Sequence, residues 1–249
     1  MRLVWGVLAL ITANCFAEPT PLRFAVADSW AMPQVQIENG QPTQGILYDL
    51  MTSLSRQVGK PAEFHVLARA RVQLAMQHGD IDVNCYTAQP WLPNQQADYI
   101  WSTPLLTQRD VLISNAAYPL QADPRELPRQ LIGTVLGYTY PTLQPLFDNG
   151  QLVRDDARNQ EQVLQKLAAG RYHYAVSNQW NLDRFNLTLP ESQQLREVAV
   201  LTEQGVGCAV RNDPALPVQQ ILRTLLRMKM SGEVDAIIER YTANRPSQQ

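Results

Sequence analysis

The chain is poor in the residues that most often announce a chemistry. Among its 249 residues are three cysteines and three histidines. His65, His78 and His173 are scattered, giving neither the Cys-His-Asn order of a thiol nucleophile nor the spacing of a metal site. No G-x-x-x-x-G-K-[ST] stretch occurs, so the chain has no P-loop of its own. Charge of one sign is lacking too: 21 Lys and Arg against 23 Asp and Glu leave a net −2, with no basic stripe and no acidic tail. Nucleic acid is therefore excluded as a partner, because phosphate binding needs clustered Lys and Arg. No apolar run approaches the about 20 residues that span a bilayer.

What apolar run there is lies at the start. Arg2 supplies a positive charge, Leu3 to Ala13 an apolar stretch of 11, and Cys15-Phe16-Ala17 a small-x-small cleavage pattern before Glu18. Residues 1–17 thus read as a secretory signal, which implies export to the periplasm. Cys15 raises the question of lipidation, but Thr12-Ala13-Asn14 before it lacks the expected pattern. The remaining residues are enough for one large domain or two small ones, and 45% hydrophobic with 18% charged residues is ordinary for a soluble globular protein. With Cys15 removed, Cys85 and Cys208 form an even pair in an oxidising compartment.

The most organised stretch runs from Gly45 to Thr87. Ile46, Leu47, Leu50, Met51, Leu54 and Val58 recur at helical spacing, and Gly59 and Pro61 stop the helix. A short strand over 63–67, a helix over 71–78 ending at Gly79, and a strand over 81–85 follow. Short links of this kind imply parallel pairing with right-handed crossovers. The same device returns later: Val163, Leu164, Leu167 and Ala168 on one helix face, Gly170 as the stop, then a strand over 172–177. Ligands of such sheets bind beyond the carboxyl ends of the strands.

G-x-x-x-D-L at Gly45 to Leu50, running on to G-D-I-D-V at Gly79 to Val83, resembles the extracytoplasmic solute-binding proteins of the amino-acid type, family 3. Four further stretches agree in order: WSTPLL at Trp101 to Leu106, IGTVLGYT at Ile132 to Thr139, GVGCAVRNDPAL at Gly205 to Leu216 and MSGEVDAIIERY at Met230 to Tyr241. The resemblance implies a type II periplasmic-binding-protein clamshell, two α/β lobes joined by two hinge strands. Residues 22–110 and 207–249 would form one lobe and 111–206 the other. It further implies a monomer that captures a small polar solute, amino-acid-like or amine-bearing, for an inner-membrane ABC permease with a separate ATPase. No cofactor is implied. Two alternatives stay open: a periplasmic ligand sensor that reports to a membrane receptor without transport, and an enzyme like the cyclohexadienyl dehydratases on the same fold.

The resemblance also places the strand carrying Cys208 beside the one ending at Cys85, so the two are expected to bridge or to pack as buried thiols. Ligand candidates are the residues at strand ends: Asp28 and Trp30, Tyr86 and Thr87, Tyr138 and Thr139, and Asn178. Asp28 is the candidate cation partner and Trp30 a stacking wall or a buried aromatic. Arg69 and Arg71, at the start of the second helix, are candidate carboxylate clamps or members of a solvated face. Pro141 suits the first turn of a helix whose amides would form an anion-friendly nest. Asp49 reads as a helix-start charge. In one respect the chain departs from the family: the T-x-E-R whose Arg grips a ligand carboxylate is missing, with Asn94 at the expected place, and the Asp that receives an ammonium is replaced by Asn178.

Overall fold

The computed structural model describes residues 20–91, 99–115 and 121–242. The leader with Cys15, the position of Asn94 and the closing tail lie outside the described residues.

The first strand, β1 (Leu22–Ala27), leads into a small hairpin of β2 (Gln36–Glu38) and β3 (Gln41–Gln44). Helix α1 (Ile46–Val58), β4 (Ala62–Leu67), α2 (Arg69–Gln77) and β5 (Val83–Thr87) follow. β1 lies between β4 and β5 and is parallel to both, as short βαβ crossovers require. Next come β6 (Tyr99–Trp101) and the long β7 (Leu106–Ser114). Beyond it lie β8 (Gln130–Val135), α3 (Gln144–Asp148), β9 (Leu152–Ala157), α4 (Gln160–Ala168), β10 (Tyr174–Asn178) and α5 (Gln179–Asn186). Here β8 is parallel to β9 and β10. The 16-residue β11 (Arg196–Arg211) then crosses back, and α6 (Val218–Met230) and α7 (Glu233–Thr242) close the described chain.

β11 joins the two parallel groups. From Arg196 to Val206 it runs antiparallel to β7, and from Gly207 to Arg211 antiparallel to β5 and β6. β7 in turn pairs with β10 on its other side. Each group has its own core. Phe24, Leu50, Leu54, Val83, Leu225 and Met228 are buried together in the first, while Val111 and Ile113 meet Val163, Leu164 and Leu167 in the second. Leu112, pointing the other way from β7, packs with Tyr140, Leu143 and Leu146. A strand covered on both faces needs an unbroken apolar run, which is what Val111-Leu112-Ile113 supplies.

Helix α1 buries all six residues of its apolar stripe. It ends at Gly59, whose φ of 77° lets the chain turn and return its amide to Arg56 O. Its start depends on Gly45, where a Cβ would fall 2.5 Å from Gln34 O, so only glycine fits beneath the preceding loop. Asp49 does more than sit near a helix start: its carboxylate accepts from Arg240 and from the Tyr241 hydroxyl (3.0 Å), tying α1 to α7. A second tie is the buried Asp82, just before β5. It accepts from Arg23 (backbone N 3.0 Å, Nε 3.1 Å, Nη2 2.7 Å) and from Arg211 Nη2 (3.0 Å), uniting β1, β5 and β11. Burial pushes its carboxyl up, but the Arg23 and Arg211 hydrogen bonds outweigh this and hold it below the usual aspartate range.

Several elements differ from the sequence-based expectations. α2 begins at Arg69, two residues early, because the Arg71 amide already closes a turn on Ala68 O (2.7 Å). The helix expected at Pro141 begins instead at Gln144 and is five residues long. Of the amides expected to form an anion nest there, that of Tyr138 is donated to Val135 O. Asp213-Pro214 reads as the start of the last helix, but that helix starts at Val218, since the Asp213 carboxylate holds a turn through the Ala215 amide (2.8 Å). It is followed by a second helix after Gly232 at φ 78°. β9, α5 and the β2–β3 hairpin were not legible beforehand.

Cys85 and Cys208 are bridged, their Cα atoms 3.9 Å apart across directly paired positions of β5 and β11 and 123 residues apart in sequence. Removing a native disulfide typically costs about 2–5 kcal/mol. Cys85→Ser, or reduction, is therefore expected to lower the melting temperature by roughly 2–4 °C per kcal/mol lost for a chain of this size. Calorimetry with and without reductant measures it; equal melting temperatures would contradict a stabilising bridge.

Candidate functional site

Four strands end on one seam between the two groups. β1 delivers Asp28, Ser29 and Trp30, and β5 ends in Tyr86 and Thr87. From the other side β8 leads through a turn to Tyr138, and β10 ends in Asn178. Parallel strands put their carboxyl ends on the same edge, so these residues converge without further design.

The convergence is direct. Asn178 Nδ2 donates to the Tyr86 hydroxyl at 3.0 Å, and Ser29 Oγ donates to the Tyr138 hydroxyl at 3.3 Å. Asn181 Nδ2 reaches the Met32 carbonyl at 2.9 Å. The Arg69 guanidinium carbon lies 4.7 Å from the centre of the Tyr138 ring and 5.8 Å from that of Trp91, close enough for cation–π attraction to both. Trp30 meets Tyr86 edge-on at 6.2 Å, and Trp180 lies 6.2 Å from Tyr86 on a tilt of 33°.

Tyr86 is the pivot of this cluster. Its φ of 61° is rare for a bulky side chain and costs on the order of 1–3 kcal/mol. Its neighbour Cys85 is fixed by the disulfide, which helps hold the backbone there. Burial raises the Tyr86 phenol far above its ordinary value, and hydrogen bonds from Gln34 and Asn178 oppose the shift only in part. Tyr138 is raised by burial as well. Both rings are neutral hydrogen-bonding walls at neutral pH. Two buried acceptors on the seam, Gln34 Oε1 and Asn181 Oδ1, have no hydrogen-bond partner among the described residues, an arrangement normally met only where something else completes the bond.

The sequence-predicted residues divide into two sets. Trp30, Arg69, Tyr86, Tyr138 and Asn178 are brought together. Asp28 and Thr139 are exposed at the rim, Asp28 within electrostatic reach of Tyr138. Arg71 is exposed, one turn from the cluster, and Thr87 is buried within β5, opposite Gly207. Gln34, Trp180 and Asn181 were missed, and so was a carboxylate. Asp110, on β7, stands in register between Asn178 of β10 and Thr202 of β11. Its Oδ2 accepts from Gln108 Nε2 (2.8 Å) and Thr202 Oγ1 (3.3 Å). Burial raises its pKa, opposed by the Gln108, Thr202 and Asn178 hydrogen bonds and the Arg69 charge. A lone carboxylate in a run leading into Val111-Leu112-Ile113 was the available signal.

A separate concavity of about 490 Å³ is lined by Pro104, Leu106, Arg109, Trp180, Glu203 and Lys229 among others. It shares Asn178 and Trp180 with the cluster but takes in none of Tyr86, Tyr138 or Arg69, so the site is assigned to the seam, where the side chains converge. Among the described residues no group of three or more His, Cys, Asp or Glu is placed to hold a metal ion.

No protein-family model matches the sequence, and no curated protein matches it. Solved structures do match in shape. An ancestral arginine-binding protein bound to arginine aligns with a TM-score of 0.74 at 19% identity, over 90% of this chain and 99% of that one. A histidine kinase sensor domain with similarity to periplasmic binding proteins aligns at 0.69 and 20% identity, over 90% and 96%. The substrate binding protein of an amino acid ABC transporter gives 0.67 at 16% identity, over 90% and 99%. At these identities the likeness is one of fold: the chain has the type II periplasmic-binding-protein fold.

The Asp110 shift has a testable sign. Since folding raises its pKa, this carboxyl favours the folded state only while protonated. That contribution is full below the ordinary aspartate value of about 3.9 and is lost as the pH rises through the raised folded value. Asp110→Asn keeps an acceptor for Gln108 and Thr202 and is neutral throughout. The variant is expected to melt above wild type at pH 7 and level with it near pH 3.5, the difference between the two proteins removing the opposite contribution of Asp82. A variant that melts lower at pH 7 would contradict a carboxylate held against its own burial cost.

Proposed function

We propose that this chain is an extracytoplasmic solute-binding protein of the amino-acid type. Residues 1–17 direct export and are removed, and the mature protein works in the periplasm as a monomer. Residues 22–110 with 207–249 act as one lobe and 111–206 as the other. A small polar solute, amino-acid-like or amine-bearing, is captured between them and passed to an inner-membrane ABC permease.

The reading rests on one observation above the rest: strand ends from both sides of the β7–β11 pair present hydrogen-bonding and aromatic side chains to each other, as in Tyr86–Asn178 and Ser29–Tyr138. Neutral hydrogen bonds of this kind contribute only about 1 kcal/mol each, so the closed arrangement is held weakly by the protein alone. A solute that touches both faces adds contacts available only when closed and shifts the balance that way. The fold shared with a substrate binding protein of an amino acid ABC transporter and with an arginine-binding protein supports capture without turnover. The likeness to a histidine kinase sensor domain supports a second reading, in which the same closure reports to a membrane receptor.

A thermal-shift screen of purified mature protein against amino acids, polyamines, organic acids and small peptides is the test. A solute at 100 times its Kd adds about 2.7 kcal/mol, or roughly 5–10 °C at this chain length. Asn178→Ala is expected to reduce that shift. A screen in which no class of small solute moves the melting temperature would contradict the proposal.

A further inference from the structure

We infer that the groove on the far face of the β7–β11 ribbon is a second ligand site, for a small amine carried on an apolar body, and that its occupation favours the closed seam. The site stands without the binding role proposed above; only its coupling to closure rests on that role.

Strand geometry separates the two places. Side chains alternate between the faces of a strand, and residues directly opposite each other across an antiparallel pair share a face. Asp110 is opposite Asn178 and Thr202, and Asn178 in turn bonds the Tyr86 hydroxyl, so this face of the ribbon is turned to the seam. Arg109, opposite Glu203, and Thr107, opposite Gly205, lie on the other face. These four line the concavity of about 490 Å³, a size within the range of about 300–1,000 Å³ usual for small-molecule sites. Asn178 and Trp180, where β10 passes into α5, border both places.

Of the charged side chains lining the groove, all but one are paired. Arg109 holds Glu197 through two guanidinium nitrogens, at 2.7 and 2.6 Å, and also donates to Gln179. Lys229 is paired with Asp235 at 2.8 Å. Glu203 approaches Arg109 Nε only to 4.0 Å, beyond hydrogen-bond range, and among the described residues no hydrogen bond reaches its carboxylate. An anion entering the groove finds both cations taken, whereas an ammonium finds a carboxylate at the mouth, its side chain 63% exposed. An exposed carboxylate alone is ordinary; this one stands beside an apolar recess. Trp180 and Ile238, both half-buried, flank the cavity over the buried Leu106, which suits a guest with a flat or aliphatic body behind its charged end.

The walls of the groove belong to different groups. α6 and α7 supply Lys229, Asp235 and Ile238 and pack into the first core through Leu225, Met228, Val234 and Ile237, while α5 supplies Gln179 and packs into the second through Leu182. A bend of the ribbon that brings the two groups together on one face moves them apart on the other. The groove is therefore wide when Tyr86–Asn178 and Ser29–Tyr138 are joined, as they are here, and narrows as the seam opens. A guest that fits only the wide groove binds the closed arrangement better and shifts the balance toward it. By reciprocity, a solute held in the seam tightens the binding of the guest.

Isothermal titration calorimetry on the mature protein tests the site with 2-phenylethylamine beside 2-phenylethanol and 3-phenylpropanoate, and with tryptamine beside tryptophol and 3-indolepropanoate. Each amine is expected to bind at least about tenfold more tightly than the alcohol and the carboxylate of like shape, as a charged hydrogen bond implies. Glu203→Gln should bring the amine to within about twofold of the alcohol. Thr107→Trp, which fills the groove from an exposed position, should weaken the amine by at least about tenfold. Melting curves show whether both variants are folded. Tyr138→Ala, on the seam, should leave the preference for amine over alcohol in place. Binding of neither amine, equal binding of amine, alcohol and carboxylate, or amine binding that is unchanged in Glu203→Gln and lost in Tyr138→Ala overturns the second site and leaves the binding role standing. Amine binding that follows Glu203, in a protein whose seam answers no solute in the thermal-shift screen, supports the site and counts against that role. With 2-phenylethylamine alone at saturation, small-angle X-ray scattering should show a smaller radius of gyration; an unchanged profile overturns the coupling.

Discussion

The pairing of β7 with β11 is the constraint on which everything else in the molecule depends. Nine partnered positions run from Leu106↔Val206 to Ser114↔Arg196, and each strand has a second partner on its outer edge: β10 beside β7, β5 and β6 beside β11. One continuous ribbon therefore belongs to both cores, and any change in its twist is a change in how the two groups face each other. Register shifts between Glu197 and Ala199 and between Val200 and Thr202 interrupt the ladder within this stretch. Such irregularities bend a strand locally. The disulfide stiffens the other end of β11, beside the seam, so bending is left to the ribbon rather than to the junction with β5.

From that constraint the seam follows. Parallel strands on each side deliver their carboxyl ends to the ribbon's flank, and the side chains found there are of the kinds that contribute little to stability and much to recognition. Tyr86 carries an unfavourable backbone conformation, Asp110 a carboxylate whose burial is only partly compensated, and Gln34 and Asn181 each hold an acceptor with no donor among the described residues. Local violations of this sort concentrate at functional sites. Away from the seam, the clean apolar stripe of α1 and the four hydrogen bonds that the Asp82 carboxylate accepts follow the ordinary rules.

What the sequence made legible follows the same division. The stripe of α1, the glycine stops at Gly59 and Gly170, and the apolar strands were readable because helical period and positive φ are local properties. α5 was not, since its eight residues follow β10 with no intervening turn and Asn178 serves both as the strand's end and as the helix cap, its Oδ1 accepting from the Trp180 amide at 3.0 Å. β9 was hidden because an edge strand reading LVRDDA alternates poorly. At the seam, Trp30, Tyr86, Tyr138 and Asn178 were found from the rule about strand ends, and Arg69 from its place at the start of the second helix. Asp110 escaped it because it sits mid-strand on the ribbon, where only the three-strand register reveals that it faces the same place.

The central claim is that the two faces close on a solute by flexing this ribbon. Small-angle X-ray scattering of the mature protein, with and without the solute that most raises its melting temperature, tests it most directly. The account predicts a smaller radius of gyration and a shorter maximum dimension with solute bound. Identical scattering profiles at saturating solute would contradict closure about β7 and β11.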